Sequence, residues 1–123
     1  MDAVSPRPVG IAVWDIVRVD FPFADEARTR RRPGLVAAIP AMHGDFAVLW
    51  VVMITSAPSG RWPLDVAISD LALGGLDHAC VVRTSKITVL DARLAVRVGE
   101  LSEADRVEVR AGLRAVLKDA LDE

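Results

Sequence analysis

Ser102–Ala120 reads S-E-A-D-R-V-E-V-R-A-G-L-R-A-V-L-K-D-A, and here the period of the chain changes. Val109, Leu113, Val116, Leu117 and Ala120 recur at helical spacing, while Arg106, Arg110, Arg114 and Lys118 gather on another face. Such a stripe predicts an amphipathic helix that lays its apolar side on a core or on a partner subunit. Ser102-Glu103-Ala104-Asp105 has capping-box spacing, with Asp where Glu or Gln is usual, so the helix should start at Ser102.

Working outward from that helix, everything before it runs in short extended pieces. Val13–Phe21 alternates around Ile16, Val17 and Val19, a half-buried strand stopped by Pro22. Gly34–Ile39 reads as a second strand, ended by Pro40. Arg32-Pro33 is expected at its entrance rather than inside a ladder, because proline lacks an N–H. Phe46–Thr55 is a long third strand, expected to be buried on both faces. Leu64–Ile68, Ala79–Arg83 and Lys86–Leu90 supply a fourth, fifth and sixth, and Leu94–Val98 a short extended segment before Gly99. His43-Gly44 and Pro58-Ser59-Gly60 carry turn chemistry, and Ser69–Gly74 can form one helical turn capped by Ser69. Strands first and one helix last indicate an α+β class: a small, mostly antiparallel barrel or half-barrel packed by a helix. Residues 1–12 read as a mobile, proline-containing N-terminal extension, and 13–123 as one domain.

Composition narrows the function classes. More than half of the 123 residues are apolar, yet no run approaches the ~18 residues a membrane helix needs. The N-terminal residues hold charges and prolines without a hydrophobic signal core, so secretion is not expected. A single Cys80 excludes an internal disulfide and fits a reducing cytoplasm. His43, His78 and Cys80 show no paired metal-ligand spacing, so neither a metal site nor a cofactor is expected. The net charge of −2 argues against indiscriminate nucleic-acid binding, but it is unevenly spread. Residues 1–62 hold seven Arg against six acids, and the acids of the second half concentrate in the last helix.

The basic excess centres on Arg28–Ala38, R-T-R-R-R-P-G-L-V-A-A. Arg32 is anchored at the rim of the sheet by Pro33, with Arg28, Arg30 and Arg31 over the preceding loop. Guanidinium groups grip phosphate oxygens in pairs, so this cluster suits a phosphate ligand; a solvated loop is the alternative.

Several segments in order resemble the MazF/PemK (Kid) toxins of type II toxin–antitoxin systems. They are Trp14-Asp15-Ile16-Val17-Arg18-Val19-Asp20-Phe21, Arg32-Pro33-Gly34-Leu35-Val36 and Ile54-Thr55-Ser56. Gly75-Leu76, Val81-Val82-Arg83 and Lys86-Ile87-Thr88-Val89-Leu90-Asp91 follow, and then Gly99-Glu100-Leu101-Ser102 at the helix junction. The resemblance covers roughly residues 13–121. It implies an SH3-like, CcdB/PemK-like barrel with a C-terminal helix, assembled as a homodimer. It also implies a cytoplasmic, metal-independent endoribonuclease that cuts single-stranded RNA at selected sequences. The 2′-OH attacks the adjacent phosphate, leaving a 2′,3′-cyclic phosphate and a 5′-OH, and a cognate antitoxin protein covers the RNA groove.

Residue by residue, Arg32 matches the arginine of the R-P motif and is expected to neutralise charge on the phosphorane. Thr55 matches the threonine ending the third strand, where its hydroxyl can bond the phosphate, with Ser56 offering a second hydroxyl. Arg83 matches the arginine of V-V-R, for which charge stabilisation is the safer role because an arginine gives up its proton reluctantly. Arg28, Arg30, Arg31, Arg61, Trp62 and Ser85 complete the expected RNA contacts, Trp62 serving either to stack an unpaired base or as a hydrophobic lid. Two departures stand out. Where some relatives carry an aspartate as general base this chain has Ser85, which does not ionise near neutral pH. Asp25 and Glu26 are then the nearest candidate bases. Trp14 stands where the family usually has glycine. The Ser85 departure keeps two alternatives open: a barrel that grips a protein target, as a gyrase-binding toxin of similar shape does, or a catalytically silent dimer that binds antitoxin or RNA.

Overall fold

The computed structural model describes residues 10–21, 30–44 and 46–122. Among these residues six strands precede one α-helix: β1 (Asp15–Phe21), β2 (Arg30–His43), β3 (Phe46–Ser56), β4 (Asp65–Ala67), β5 (Cys80–Asp91), β6 (Ala95–Glu100) and α1 (Glu103–Leu121). They form one sheet in the order β4-β5-β3-β2-β1-β6, every neighbouring pair antiparallel. The sheet is not closed. The expected α+β class, strands first and helix last, is what the chain adopts.

The core lies on both faces of this sheet. Successive residues alternate between two buried clusters, Ile16 against Val17, Leu35 against Val36, Val52 against Val51. A strand points consecutive side chains to opposite faces, so continuous apolar runs such as Val51–Ile54 bury both sides. The start of β3 departs from the expectation of two-sided burial, since Phe46 and Trp50 are exposed. One cluster takes Val109 and Leu101 from the helix end of the chain, and the other takes Ile11, so packing begins inside the expected N-terminal extension.

Other expectations are corrected by the ladder. Pro33 and Pro40 lie within β2, not at its ends. Both are tolerated because neither is held from two sides. Pairing with β3 starts only at Gly34, so Pro33 has β1 alone beside it, opposite Arg18. Pro40 falls in the irregularity between Ala38 and Ala41. The fifth and sixth expected strands are one, β5, interrupted by a bulge: Val52 pairs Ile87 and Ile54 pairs Val82, so residues 83–86 stand opposite Met53. Ser69 does not cap the turn that follows it. Asp70 does so, its carboxylate accepting from the Leu73 N–H at 3.0 Å.

The helix begins as expected, with the Ser102 hydroxyl accepting from the Asp105 N–H at 3.3 Å. The Asp105 side chain, however, is buried and reaches across to Ser69. Its carboxylate accepts from the Ser69 N–H at 2.8 Å and from the Ser69 hydroxyl at 3.0 Å. Gly112 lets α1 approach β5, where a Cβ would press on the Thr84 side chain. Beyond that point the apolar stripe emerges from the domain, with Val116, Leu117 and Leu121 exposed. Trp14 has φ 79°, the left-handed backbone that glycine adopts without cost. Its ring packs against the core, with the guanidinium groups of Arg106 and Arg110 at 5.7 and 5.3 Å from its centre. Among the described residues no helix is long and apolar enough to cross a membrane.

Candidate functional site

Proline chemistry opens the site. The β2–β3 ladder ends at Gly34–Met53; beyond it Arg32 and Pro33 pair only with β1, while Ile54–Ser56 pair only with β5. Gly34 permits the close approach just before the strands part, since a Cβ there would collide with the Val51 side chain. The gap is a cleft of about 430 Å³. Arg18 lines it from β1, Arg31 and Arg32 from β2, Thr55 and Ser56 from β3, and Asp77 and His78 from the loop leading into β5.

The chemistry of this cleft is cationic with hydroxyls. Arg32 is half-buried, and its Nε is fully buried without a hydrogen-bond partner among the described residues. A donor withdrawn from water and left unpaired carries a desolvation penalty that an acceptor entering the cleft would relieve. Ser56 Oγ lies 2.8 Å from His78 Nε2, and His78 Nδ1 lies 2.7 Å from Asp77 Oδ1. The hydrogen bond from the His78 ring holds the Asp77 carboxyl below the usual carboxylate range, Arg18 adding a smaller pull. Burial first, then the Asp77 charge, push the Cys80 thiol up, so it is a buried, protonated neighbour rather than a nucleophile.

The structure thus brings together Arg31, Arg32, Thr55 and Ser56 as the sequence suggested, and leaves others elsewhere. Arg83 does not line the cleft. It stands opposite Asp65 in the β4–β5 ladder and is buried there, Nη2 donating to Asp65 Oδ2 at 3.0 Å and to the Gly60 carbonyl at 2.8 Å. The Trp62 ring covers this ion pair, 4.3 Å from the guanidinium carbon, which favours the lid over the base-stacking platform. Burial pushes the Asp65 carboxyl up, but the Arg83 hydrogen bonds, the Trp62 N–H and the charges of Arg83 and Arg61 outweigh it and hold it below the usual range. Arg61 and Ser85 are exposed and line no part of the cleft. Arg30 belongs to β2, opposite Phe21, while Arg28, Asp25 and Glu26 lie outside the described residues. Asp77, His78 and Arg18 are cleft residues that the sequence reading missed. The adjacent Asp77-His78 pair is the one signal for them, and it says nothing of metal spacing, while nothing local announces that Ser56 faces them.

Residues 12–117 match the family model described as PemK-like, MazF-like toxin of type II toxin–antitoxin system. No curated protein sequence matches the chain. Among solved structures, MazF from Deinococcus radiodurans is 27% identical, with a TM-score of 0.63 over 86% of this chain and 94% of that one. A mycobacterial endoribonuclease in complex with its cognate antitoxin is similar in fold, at 17% identity and a TM-score of 0.67, covering 93% of this chain and 99% of that one. The Mycobacterium tuberculosis toxin MazF-mt6 is 16% identical, with a TM-score of 0.65 over 89% and 99% of the two chains.

Proposed function

We propose that this chain, which belongs to the PemK-like, MazF-like toxins of type II toxin–antitoxin systems, is a metal-independent endoribonuclease that cleaves single-stranded RNA at selected sequences. The scissile phosphate sits in the cleft between β2 and β3. The observation that carries this reading is the buried, unpaired Arg32 Nε in a cleft lined by Arg18, Arg31 and the Thr55 hydroxyl. Three guanidinium groups offer paired donors to phosphate oxygens, and they act where the local dielectric is lower than in bulk water. Attack by the 2′-OH on the adjacent phosphorus expels the 5′ oxygen, giving a 2′,3′-cyclic phosphate and a 5′-OH. Arg32 stabilises the charge that builds on the non-bridging oxygens, and Thr55 holds one of them by a hydrogen bond. RNA phosphates are held by the arginines of the cleft, so binding weakens as salt rises.

Two partners follow from the same reading. A cognate antitoxin segment occupies the cleft and excludes RNA, as befits a chain whose similar structures include complexes of MazF with MazE. A second copy of this chain covers part of its apolar surface: Trp50 and Val89 are cross-strand neighbours and both are exposed. The assembly works in the cytoplasm, where messenger RNA is exposed.

The test is cleavage of a long single-stranded RNA by the purified protein in EDTA, with every new 5′ end mapped. Discrete cuts bearing 5′-OH ends, absent with Arg32→Ala at unchanged stability, are expected. Absence of cutting by a folded wild-type dimer, or equal cutting by Arg32→Ala, would remove the reading and direct attention to a protein target.

A further inference from the structure

The proposed reaction needs a base for the 2′-OH, and Ser85 cannot supply one: it is exposed, outside the cleft and does not ionise near neutral pH. Resting on the nuclease reading above, we propose that His78 is the general base of this chain, aligned by Asp77, and that Ser56 marks the position the substrate 2′-hydroxyl takes. Its geometry has three parts. His78 Nδ1 is 2.7 Å from a carboxylate oxygen of Asp77, its chain neighbour. Its Nε2 is 2.8 Å from Ser56 Oγ, which belongs to the end of β3, twenty-two residues away. Both ends of this chain of contacts line the same cleft as Arg18, Arg31 and Arg32.

The order of donors and acceptors decides between base and acid. An ionised carboxylate only accepts, so the Nδ1 facing Asp77 must carry the proton. Asp77 is kept ionised because its carboxyl lies below the usual range. The neutral ring then has its lone pair on Nε2, and the Ser56 hydroxyl donates to it. A hydroxyl hydrogen-bonded to an imidazole lone pair beside three guanidinium groups is the arrangement a 2′-OH needs before attack on a phosphate. When RNA enters, its 2′-OH replaces Ser56 as the donor.

The step balances without an oxidant or a metal. The O2′–H bond breaks and its proton goes to His78 Nε2, while the freed pair forms the O2′–P bond. The P–O5′ bond breaks with its pair on O5′, which takes a proton from water, and the imidazolium returns its proton to the resulting hydroxide. His78 touches the reacting hydroxyl; Asp77 is a positioning residue that fixes the tautomer. The groups facing His78 are Asp77 beside it, Arg18 from β1, Arg31 and Arg32 from β2, and the Cys80 thiol at the head of β5.

The test uses the full chain and a short RNA spanning a cut site mapped on the long RNA, made in two forms, one normal and one with sulfur in place of the bridging 5′ oxygen. Sulfur leaves as a thiolate and needs no acid, so a base defect persists on it and an acid defect vanishes. Expected for His78→Ala and for the amide variant His78→Gln is a fall in kcat/KM of roughly 10²–10³-fold on both RNAs. The melting temperature should not change, and the acid limb of the wild-type pH profile should be lost. Asp77→Asn should lower kcat more than it raises KM, since the amide no longer fixes the proton on Nδ1. Cutting by His78→Ala within about threefold of wild type, a defect erased by the sulfur substrate, or dependence on Asp25 and Glu26 in its place would overturn the assignment. If the wild type cuts and Arg32→Ala does not, while His78→Ala cuts normally, only this assignment fails. If the wild type cuts nothing, the nuclease reading fails with it.

Discussion

Replacing Arg83 by alanine separates a structural arginine from a catalytic one. Its side chain is 8% exposed and that of Asp65 2%, so the ion pair is essentially out of water. Arg83 donates to Asp65 through Nε at 3.2 Å and Nη2 at 3.0 Å, and to the Gly60 carbonyl at 2.8 Å. Truncation leaves the Asp65 carboxylate with the Trp62 N–H at 2.9 Å and no hydrogen-bonded guanidinium. Breaking a buried pair from one side costs about 3–5 kcal/mol, because the remaining charge is stranded. With about 4 °C per kcal/mol at this size, the melting temperature should fall by roughly 12–20 °C.

The pH dependence has a sign that identifies the cause. In the wild type the folded-state Asp65 titrates below its unfolded value of about 3.9, so its contribution is present above that value and is lost as pH falls through the lower, folded one. In Arg83→Ala the largest attraction is gone, leaving the Trp62 N–H and the Arg61 charge against burial, so the folded-state value moves up and the penalty is relieved as Asp65 protonates. Urea unfolding of both proteins between pH 7 and about pH 4 should therefore show the gap narrowing on acidification, and Arg83→Ala/Asp65→Asn should be more stable than Arg83→Ala alone. An Arg83→Ala protein that melts within about 3 °C of wild type yet cuts no RNA would refute this reasoning and return Arg83 to the phosphate.

Asp105→Ala removes the buried carboxylate that accepts from the Ser69 N–H and hydroxyl and should cost about 1–3 kcal/mol in urea unfolding; no measurable loss would show that this contact does not pin α1. Gly99→Ala would push a Cβ into the Leu73–Gly74 backbone, which must move to make room. We expect a loss of about 3 kcal/mol together with slower RNA cleavage, because the same loop carries Asp77 and His78; unchanged cleavage would uncouple that loop from the cleft. Trp14→Gly relieves a left-handed backbone worth about 1–2 kcal/mol but forfeits about 3–5 kcal/mol of aromatic packing. The net should be a destabilisation, and a raised urea midpoint would show that strain outweighs packing.

What the sequence determined by itself is local and periodic. The helix from Ser102 and the strand character of Val13–Phe21 and Phe46–Thr55 could be read from spacing, because side-chain period is a property of adjacent residues, while the R-P-G and I-T-S segments that bound the cleft were marked by the resemblance to the MazF/PemK toxins. Tertiary structure decided what depends on register. Pro33 and Pro40 could stay inside β2 only because β3 leaves one unpaired and a bulge accommodates the other. The V-V-R arginine, equally suited by type to phosphate or carboxylate, was claimed by Asp65 because the β4–β5 register sets the two opposite each other. Ser56 and His78, twenty-two residues apart, meet because the chain returns to pair Ser56 with Cys80 and so carries His78 to the end of β3. No periodicity records that meeting, since it is fixed by the closing of a long loop onto a sheet rather than by any neighbouring residue.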